Sequence, residues 1–346
     1  MPTPFYDLEY NELQELLDSW GEPSYRARQI WQGFYKNLTA LPTQLSTLPG
    51  SLRTRLKTQL DFEILTGTKT LKSRDGQTIK TLFILKDGQP VEAVLMRYDK
   101  RNTLCISTQA GCAMGCVFCA TGQMGFRRHL SSGEILAQVL HYARLLKNEG
   151  QVVTNVVVMG MGEPFHNYDN TLAAIDRLND PEGYNLGARR FTISTVGLVP
   201  AIRRFASEKR QINLAVSLHA ADDKLRASML PVARKYPIAD LLSACRDYVA
   251  ITGRRISFEW ALVQDVNDTP EQARMLAGKL KGLNCHVNAI PLNPTEGYAG
   301  KATRRERAKI FQSILTSLGI PCTIRLRRGI DIQAGCGQLA VEVISQ

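Results

Sequence analysis

The sequence lacks long apolar runs and an export signal, and both absences limit the kind of protein it encodes. No stretch of about 18 consecutive apolar residues occurs, which excludes a membrane-spanning helix. The first twenty residues contain five acids and no base, the opposite of the charged start of a secretory signal. We therefore expect a cytoplasmic protein without a membrane partner. In that compartment the eight cysteines favour metal or redox chemistry over a disulfide framework.

Acidic residues are too few to balance the basic ones. The chain has 43 Lys and Arg against 32 Asp and Glu, a net charge of +11. Residues 301–328 contain eight bases and one acid, residues 189–210 contain six bases and one acid, and residues 25–36 interleave bases with aromatic side chains. Such clusters suit phosphates and unstacked bases, so a nucleic acid is one predicted partner. A solvated basic surface is the alternative.

The pattern of apolar residues divides the 346 residues into three parts. Residues 1–60 carry helical apolar stripes and are predicted to form a small accessory domain, which either docks RNA or only packs on the core. Residues 61–98 contain the turn signals Asp75-Gly76 and Asp87-Gly88 and are predicted to form a short antiparallel meander. The third part, residues 99–346, is predicted to be the core domain.

The core alternates between predicted strands and helices. The strands are predicted at 103–108, 153–159, 190–195, 212–217, 256–262, 286–290 and 321–326. The helices between them are predicted near 132–148, 169–179, 198–207, 238–251, 270–282 and 303–317. Six βα units and a closing strand indicate a parallel sheet, too short for an eightfold barrel. We predict an α/β fold with an open, partial (β/α)6 barrel, although periodicity alone also fits a doubly wound sheet.

Three cysteines follow the first core strand with the spacing C-x3-C-x2-C. Cys112, Cys116 and Cys119 could hold three irons of a [4Fe–4S] cluster and leave the fourth iron open to the amino and carboxylate groups of S-adenosylmethionine. A structural zinc site, the main alternative, usually has a fourth ligand nearby and often C-x2-C pairs, and neither is present here. The spacing therefore favours the cluster.

Other polar motifs also fall at the carboxyl ends of predicted strands, where parallel sheets place their active sites. They are the glycine-rich turn 160–164, Ser194, residues 217–219 and Asn293. Their hydroxyl, amide and backbone groups could bind the ribose, adenine and methionine parts of a nucleoside cofactor.

Two further cysteines are candidates for chemistry. Cys105 lies on the first core strand, and Cys336 lies in a turn between two glycines. A flexible, accessible turn suits a reactive thiol, but the residues alone equally allow an incidental small side chain.

The segment CAMGCVFCATGQMGFRRHL, followed by SSGEI, resembles the signature of radical S-adenosylmethionine (SAM) enzymes that methylate C2 of adenine in ribosomal and transfer RNA. This is the dual-specificity ribosomal RNA methyltransferase N family, and the similarity covers nearly the whole chain. The resemblance implies a radical SAM barrel, one [4Fe–4S] cluster on Cys112, Cys116 and Cys119, and two molecules of SAM consumed for each methylation.

The resemblance also implies a role for each remaining candidate. Cys336 corresponds to the cysteine that carries the methyl group, and Cys105 to the thiol that later forms a disulfide with it. Glu92 matches the proton acceptor, with Cys105 as a rival for that proton. The implied SAM contacts are Gly162, Glu163, Ser194, Ser217, Leu218, His219 and Asn293.

The implied partners are 23S rRNA, as naked RNA or an assembly intermediate, and tRNA at the adenosine 3′ of the anticodon. An electron donor such as flavodoxin and a monomeric enzyme are also expected. Two alternatives stay open at this point: a related resistance enzyme that methylates C8 of the same ribosomal adenine, and a metal-bearing RNA-binding protein without catalysis. The latter would not require the pair Cys105 and Cys336.

Overall fold

A computed structural model describes residues 2–340 of the chain. The last six residues, 341–346, which end the predicted core domain, lie outside the described part. Within residues 2–340, every helix is too short or too polar to cross a bilayer.

The described residues form fourteen strands and eleven α-helices. The strands are β1 (Thr3–Pro4), β2 (Leu60–Asp61), β3 (Leu65–Lys72), β4 (Thr78–Leu85), β5 (Pro90–Tyr98), β6 (Arg101–Cys105), β7 (Gln109–Gly111), β8 (Phe126–His129), β9 (Asn155–Val158), β10 (Phe191–Thr195), β11 (Asn213–Ser217), β12 (Ile256–Leu262), β13 (Cys285–Pro291) and β14 (Cys322–Ile324). The α-helices are α1 (Tyr10–Ser19), α2 (Tyr25–Trp31), α3 (Gly50–Gln59), α4 (Ala120–Gln123), α5 (Ser132–Asn148), α6 (Tyr168–Asn179), α7 (Val199–Ser207), α8 (Asp223–Met229), α9 (Ile238–Thr252), α10 (Pro270–Leu280) and α11 (Arg305–Ser317).

Ten strands form one sheet whose parallel part has the strand order of the chain. The order is β14-β13-β12-β11-β10-β9-β6-β5-β4-β3, with every pair from β6 to β14 parallel. A doubly wound sheet reverses direction at a switch point, and this order contains no reversal among the described strands. The prediction of a partial (β/α)6 barrel is therefore confirmed, because six parallel pairs wind in one direction without an eighth strand.

The predicted meander exists and continues the barrel sheet. β3, β4 and β5 pair antiparallel with one another, and β5 pairs antiparallel with β6, the first barrel strand. Val94 of β5 lies opposite Cys105 of β6 in this pairing. The meander therefore forms a wall next to the first barrel strand.

The N-terminal helices pack on the outside of the barrel through an aromatic core. Trp31, Phe34 and Tyr35 are buried there, in contact with Phe5 or with one another. The basic and aromatic segment 25–36 was a candidate for stacking on RNA bases, but these three rings are not accessible for stacking. Their burial shows a packing role for this part of the segment.

One close approach fixes the N-terminal part on the core. Asp7 Oδ1 accepts a hydrogen bond from the backbone N–H of Gly133 at the start of α5 (2.7 Å). A Cβ at position 133 would come within 2.8 Å of Asp7 and of the Tyr6 carbonyl carbon, so only glycine fits. The helix itself begins with a capping box between Ser131 and Glu134, a signal that is visible in the sequence.

Candidate active site

The carboxyl ends of the barrel strands surround a cavity of about 250 Å³. Eleven of the thirteen predicted site residues line it: Cys105, Cys112, Cys116, Cys119, Gly162, Glu163, Ser194, Ser217, His219, Asn293 and Cys336. A second cavity, of about 330 Å³, lies between the N-terminal helices and α6 and contains none of the predicted residues. The chemistry-bearing residues therefore share one cavity although more than two hundred residues separate some of them in the sequence.

Glycines shape the loop that carries the three clustered cysteines. The loop lies between the paired strands β7 and β8, and Cys112 N–H donates to the Gly125 carbonyl (2.9 Å). Gly111 has a φ of 73°, and a Cβ there would lie 1.9 Å from the Gly125 oxygen. At Gly122 a Cβ would lie 2.9 Å from backbone atoms of Cys116. These close approaches let a short loop present all three thiols to the cavity.

The three thiols of this loop favour the protonated form when nothing is bound to them. Burial raises the pKa of Cys112 to about 12 and raises those of Cys116 and Cys119. The charge of one thiolate also raises the pKa of its neighbours, as that of Cys119 does for Cys116. A cationic group is needed to make such a set of thiolates favourable, and metals deprotonate their thiol ligands.

The donor set fits a cluster. Cys112, Cys116 and Cys119 all line the cavity. A cubane cluster would take these three sulfur ligands at three of its corners and leave the fourth iron open to another ligand.

The glycine-rich turn after β9 is held by a buried carboxylate. Glu163 accepts hydrogen bonds from Val196 N–H (2.7 Å) and Phe165 N–H (3.0 Å), and burial raises its pKa to about 7. Gly162 has a φ of 102°, and a Cβ there would lie 2.6 Å from Gln109 Cβ. The carboxylate of Glu163 thus joins the ends of β9 and β10, while the turn exposes its backbone to the cavity.

His219 lines the cavity as a neutral ring. Its Nδ1 accepts a hydrogen bond from Ala261 N–H (2.9 Å), which places the ring proton on Nε2. Burial and the charge of Arg226 lower its pKa to about 3. The ring edge also meets Phe118 of the cysteine loop, with 5.0 Å between centroids. A neutral ring of fixed orientation agrees with the predicted cofactor contact and not with an acid–base role. Leu218, the neighbouring predicted contact, is fully buried and does not line the cavity.

Cys105 and Cys336 both line this cavity. Cys336 is exposed, and its exposed surface faces the cavity, where the surrounding protein raises its pKa to about 12. Burial also raises the pKa of Cys105 to about 12, and negative charge on Cys336 raises it further. Both thiols are free. Asn293 donates from Nδ2 to the Cys336 carbonyl (2.9 Å), and its buried Oδ1 has no hydrogen-bond partner among the described residues, so it can accept one from a ligand.

Glu92, the predicted proton acceptor, is buried on β5. Its side chain is 5% exposed, it is absent from the described lining, and it forms an ion pair with Lys80 (2.9 Å). The proton-acceptor role of Glu92 therefore stays a prediction.

Two site residues were missed from the sequence. Arg226 of α8 is fully buried and donates to the carbonyls of Val196 (2.8 Å) and Leu218 (3.3 Å), so it holds the residues that follow β10 and β11. Glu259 of β12 lines the cavity, accepts from Asn288 Nδ2 (2.9 Å), and has a pKa raised by burial. An acid inside an otherwise apolar strand was a signal for Glu259, whereas no motif marks Arg226.

Comparison with known proteins shows which family the chain belongs to. Residues 106–277 match the family model of the Radical SAM superfamily. The probable dual-specificity RNA methyltransferase RlmN of Chloroflexus aurantiacus is 52% identical over 97% of this chain and 92% of its own length. The dual-specificity RNA methyltransferase RlmN 1 of Myxococcus xanthus is 49% identical over 98% of this chain and 94% of its own. The chain belongs to this family of radical SAM RNA methyltransferases.

A solved structure supports the family at the level of the fold. The radical SAM methyltransferase from Sphaerobacter thermophilus is 50% identical, with a TM-score of 0.95 over 97% of this chain and 99% of that one. Radical SAM membership implies a [4Fe–4S] cluster and SAM, which the thiol loop fits. The superfamily match ends at residue 277, so the loop that carries Cys336 lies outside the matched residues.

Proposed function

We propose that this protein methylates C2 of an adenosine in 23S rRNA and in tRNA, through a methyl group that Cys336 carries. The observation that supports this most directly is the shared cavity: the cluster-type thiol loop, Cys105 and Cys336 all line it. Simple methyl transfer would need neither the loop nor a second thiol. We further propose a cytoplasmic monomer that uses an electron donor such as flavodoxin.

The bound cluster and SAM supply a methyl cation equivalent and a 5′-deoxyadenosyl radical, which chemistry at an electron-poor sp2 carbon requires. The thiolate of Cys336 takes the methyl group by a polar displacement. After hydrogen abstraction, the methylene carbon on Cys336 bonds to C2 of the adenine and joins protein to RNA. The thiolate of Cys105 then attacks Sγ of Cys336, so that a disulfide forms as the S–C bond breaks. A base takes the proton from C2, the released methylene carbon gains a proton and stays on the RNA as a methyl group, and the remaining electron passes to an acceptor, a role that the bound cluster would fill.

The surroundings of the two thiols match these steps. Both have a pKa of about 12, so each must lose a proton at the moment it reacts. The charge of Arg325 lowers both values and thus favours both thiolates. The protein around the cavity therefore keeps the thiols protonated between steps, while the guanidinium of Arg325 stabilises the charge that develops on sulfur.

The RNA-binding surface in this proposal is the rim of the cavity formed by Tyr98, Arg101, Arg327 and Arg328. The guanidinium carbons of Arg101 and Arg328 each lie 4.3 Å from the centroid of the Tyr98 ring. Next to them Leu326 is 86% exposed. Guanidinium groups bind phosphates, and an exposed apolar side chain at the mouth can contact an unstacked base. The rim therefore offers both contacts where an adenosine would enter.

Replacing Arg101 and Arg327 together with alanine is expected to weaken RNA binding about tenfold at low salt, and to reduce the slope of log K against log salt by about one per arginine. Fluorescence anisotropy with a labelled anticodon stem-loop, measured over a salt series, checks this. The matched control is Arg274→Ala, an exposed arginine on α10 outside the cavity lining. If the Arg101/Arg327 double variant and Arg274→Ala lose RNA affinity equally, the rim is not the RNA-binding surface.

The proposed function itself is tested with cluster-loaded protein, reductant, SAM and transcripts of both RNAs. Mass spectrometry of the digested RNA is expected to find 2-methyladenosine. Methylation at C8 alone would support the resistance-type activity instead. If neither methylated RNA nor 5′-deoxyadenosine forms, the non-catalytic RNA-binding alternative is favoured.

A further inference from the structure

A buried ion pair lies beside the loop that carries Cys336, and the reaction described above does not use its lysine. Lys80 of β4 and Glu92 of β5 are 2.9 Å apart, with side chains 7% and 5% exposed. The two residues come from neighbouring antiparallel strands of the meander. Burying two charges costs solvation energy, so such a pair is retained most readily where it fixes a particular geometry.

The ammonium of Lys80 has a second partner in the Cys336 loop. It donates to the backbone carbonyl of Gln333 (3.3 Å). Gln333 has a φ of 51°, a left-handed conformation that is strained for a residue with a side chain. The surrounding structure must compensate for this strain, and a charge-assisted hydrogen bond to the carbonyl of the same residue does so.

The other contacts of the loop show what Lys80 adds. On the barrel side, the loop is held by Asn293 at the Cys336 carbonyl (2.9 Å) and by Gln338 at the Pro294 carbonyl (3.0 Å). On the meander side, the backbone N–H of Arg74 donates to Asp331 (2.8 Å), and Lys80 reaches Gln333. Lys80 thus carries the buried contact between meander and loop, three residues before the thiol.

We propose that Lys80 is a positioning residue whose ammonium, anchored by Glu92, fastens the Gln333 turn to the meander and so holds the Cys336 thiol in the cavity. The inference rests on the proposed function in one respect: Cys336 is the methyl carrier. It also assigns a structural role to the meander, because β4 carries Lys80 and β5 carries Glu92. In the tether, Glu92 acts through Lys80.

The test compares four full-length, cluster-loaded proteins: wild type, Lys80→Met, the double variant Lys80→Met/Glu92→Leu, and Lys80→Arg. Lys80→Met alone leaves a buried carboxylate without its cation and is expected to lower thermal stability. The double variant removes both charges, which proteins commonly tolerate when apolar groups of similar size replace them. It therefore loses the tether while keeping the fold. Lys86→Met is the control, because Lys86 pairs with Asp61 at an exposed position just beyond β4.

Two readouts do not depend on turnover. Hydrogen exchange of residues 329–338 is expected to be at least about tenfold faster in the double variant, because the hydrogen bonds from Ala334 N–H to Gly329 and from Gln338 N–H to Gly335 open more often. Alkylation of Cys336, mapped by mass spectrometry, is expected to accelerate as well, because the loosened thiol leaves the cavity. Lys80→Arg, which keeps the cation, is expected to restore most of the protection.

Methyl transfer to RNA, measured per bound cluster, is expected to fall in Lys80→Met, which keeps Glu92, and to be restored in Lys80→Arg. Unchanged exchange and alkylation in the double variant would overturn the role of Lys80, whatever happens to activity. A loosened loop with full methyl transfer would also overturn it. If the wild type itself methylates no RNA, the proposed function fails, and the exchange and alkylation results still decide the tether.

Discussion

A Cys336→Ala variant is expected to retain its cluster and to bind SAM, but to lose methyl transfer to RNA by at least ~10³-fold. The cluster is retained because its three thiols come from the separate loop between β7 and β8. Methyl transfer is lost because alanine has no sulfur to take the methyl group. The fold is expected to tolerate the change, since the Cys336 side chain faces the cavity rather than the core.

Three measurements check this prediction: iron content, intact mass after incubation with SAM, and transfer of labelled methyl to RNA. The wild type is expected to gain one methyl mass increment on Cys336, and the variant none. Cys322→Ala is the matched control, because Cys322 is a half-buried free thiol on β14 outside the cavity lining. Methyl transfer at the wild-type rate in the Cys336 variant would eliminate the methyl-carrier mechanism.

A Cys105→Ala variant is expected to accumulate a covalent protein–RNA adduct while releasing at least ~10²-fold less methylated RNA than the wild type. Cys336 can still be methylated, and its methylene carbon can still bond to adenine C2. The adduct then persists because the thiol that would attack Sγ of Cys336 is missing. Release also requires a proton acceptor, for which Cys105 and Glu92 are the two predicted candidates.

Denaturing gel electrophoresis with radiolabelled RNA detects the adduct, and mass spectrometry of the digested complex is expected to locate the bond at Cys336. The double variant Cys105→Ala/Cys336→Ala is the control and is expected to form no adduct. Normal product release by Cys105→Ala would contradict its role as the resolving thiol. An adduct in the double variant would show that another residue carries the carbon.

The helices and strands of the core domain could be predicted from sequence periodicity, because each of them is marked by residues close together in the sequence. The helix predicted near 132–148 is α5, whose capping box is written in four consecutive residues, and the strand predicted at 256–262 is β12. The cysteine spacing and the polar strand ends converged on one cavity because parallel strands all end at one edge of a sheet. The short elements β7, β8 and α8 were missed, since three to seven residues carry too little periodicity to predict.

Features that depend on contacts between distant residues could not be predicted in this way. The aromatic residues of segment 25–36 resemble a stacking surface in sequence, and only the packing of Phe5 and Phe62 around them shows that they are core. Glu92 has the residue type of a proton acceptor, but its burial and its ion pair with Lys80 of the neighbouring strand could not be predicted from the sequence. Arg226 could not be predicted because its partners are backbone carbonyls, which every residue has and which therefore leave no signal in the sequence.

The loop that carries Cys336 is hydrogen-bonded directly to the loop that would hold the cluster. Ala120 N–H donates to the Gly337 carbonyl (2.8 Å), and Thr121 Oγ1 donates to the Leu339 carbonyl (2.5 Å). Any event that disorders one loop must therefore raise the free energy of the ordered form of the other, and the effect is reciprocal. Oxidative loss of iron should then also loosen the loop that holds the Cys336 thiol. In the proposed reaction, damage by oxygen would therefore stop the loading of a methyl group on Cys336 and its transfer to RNA together.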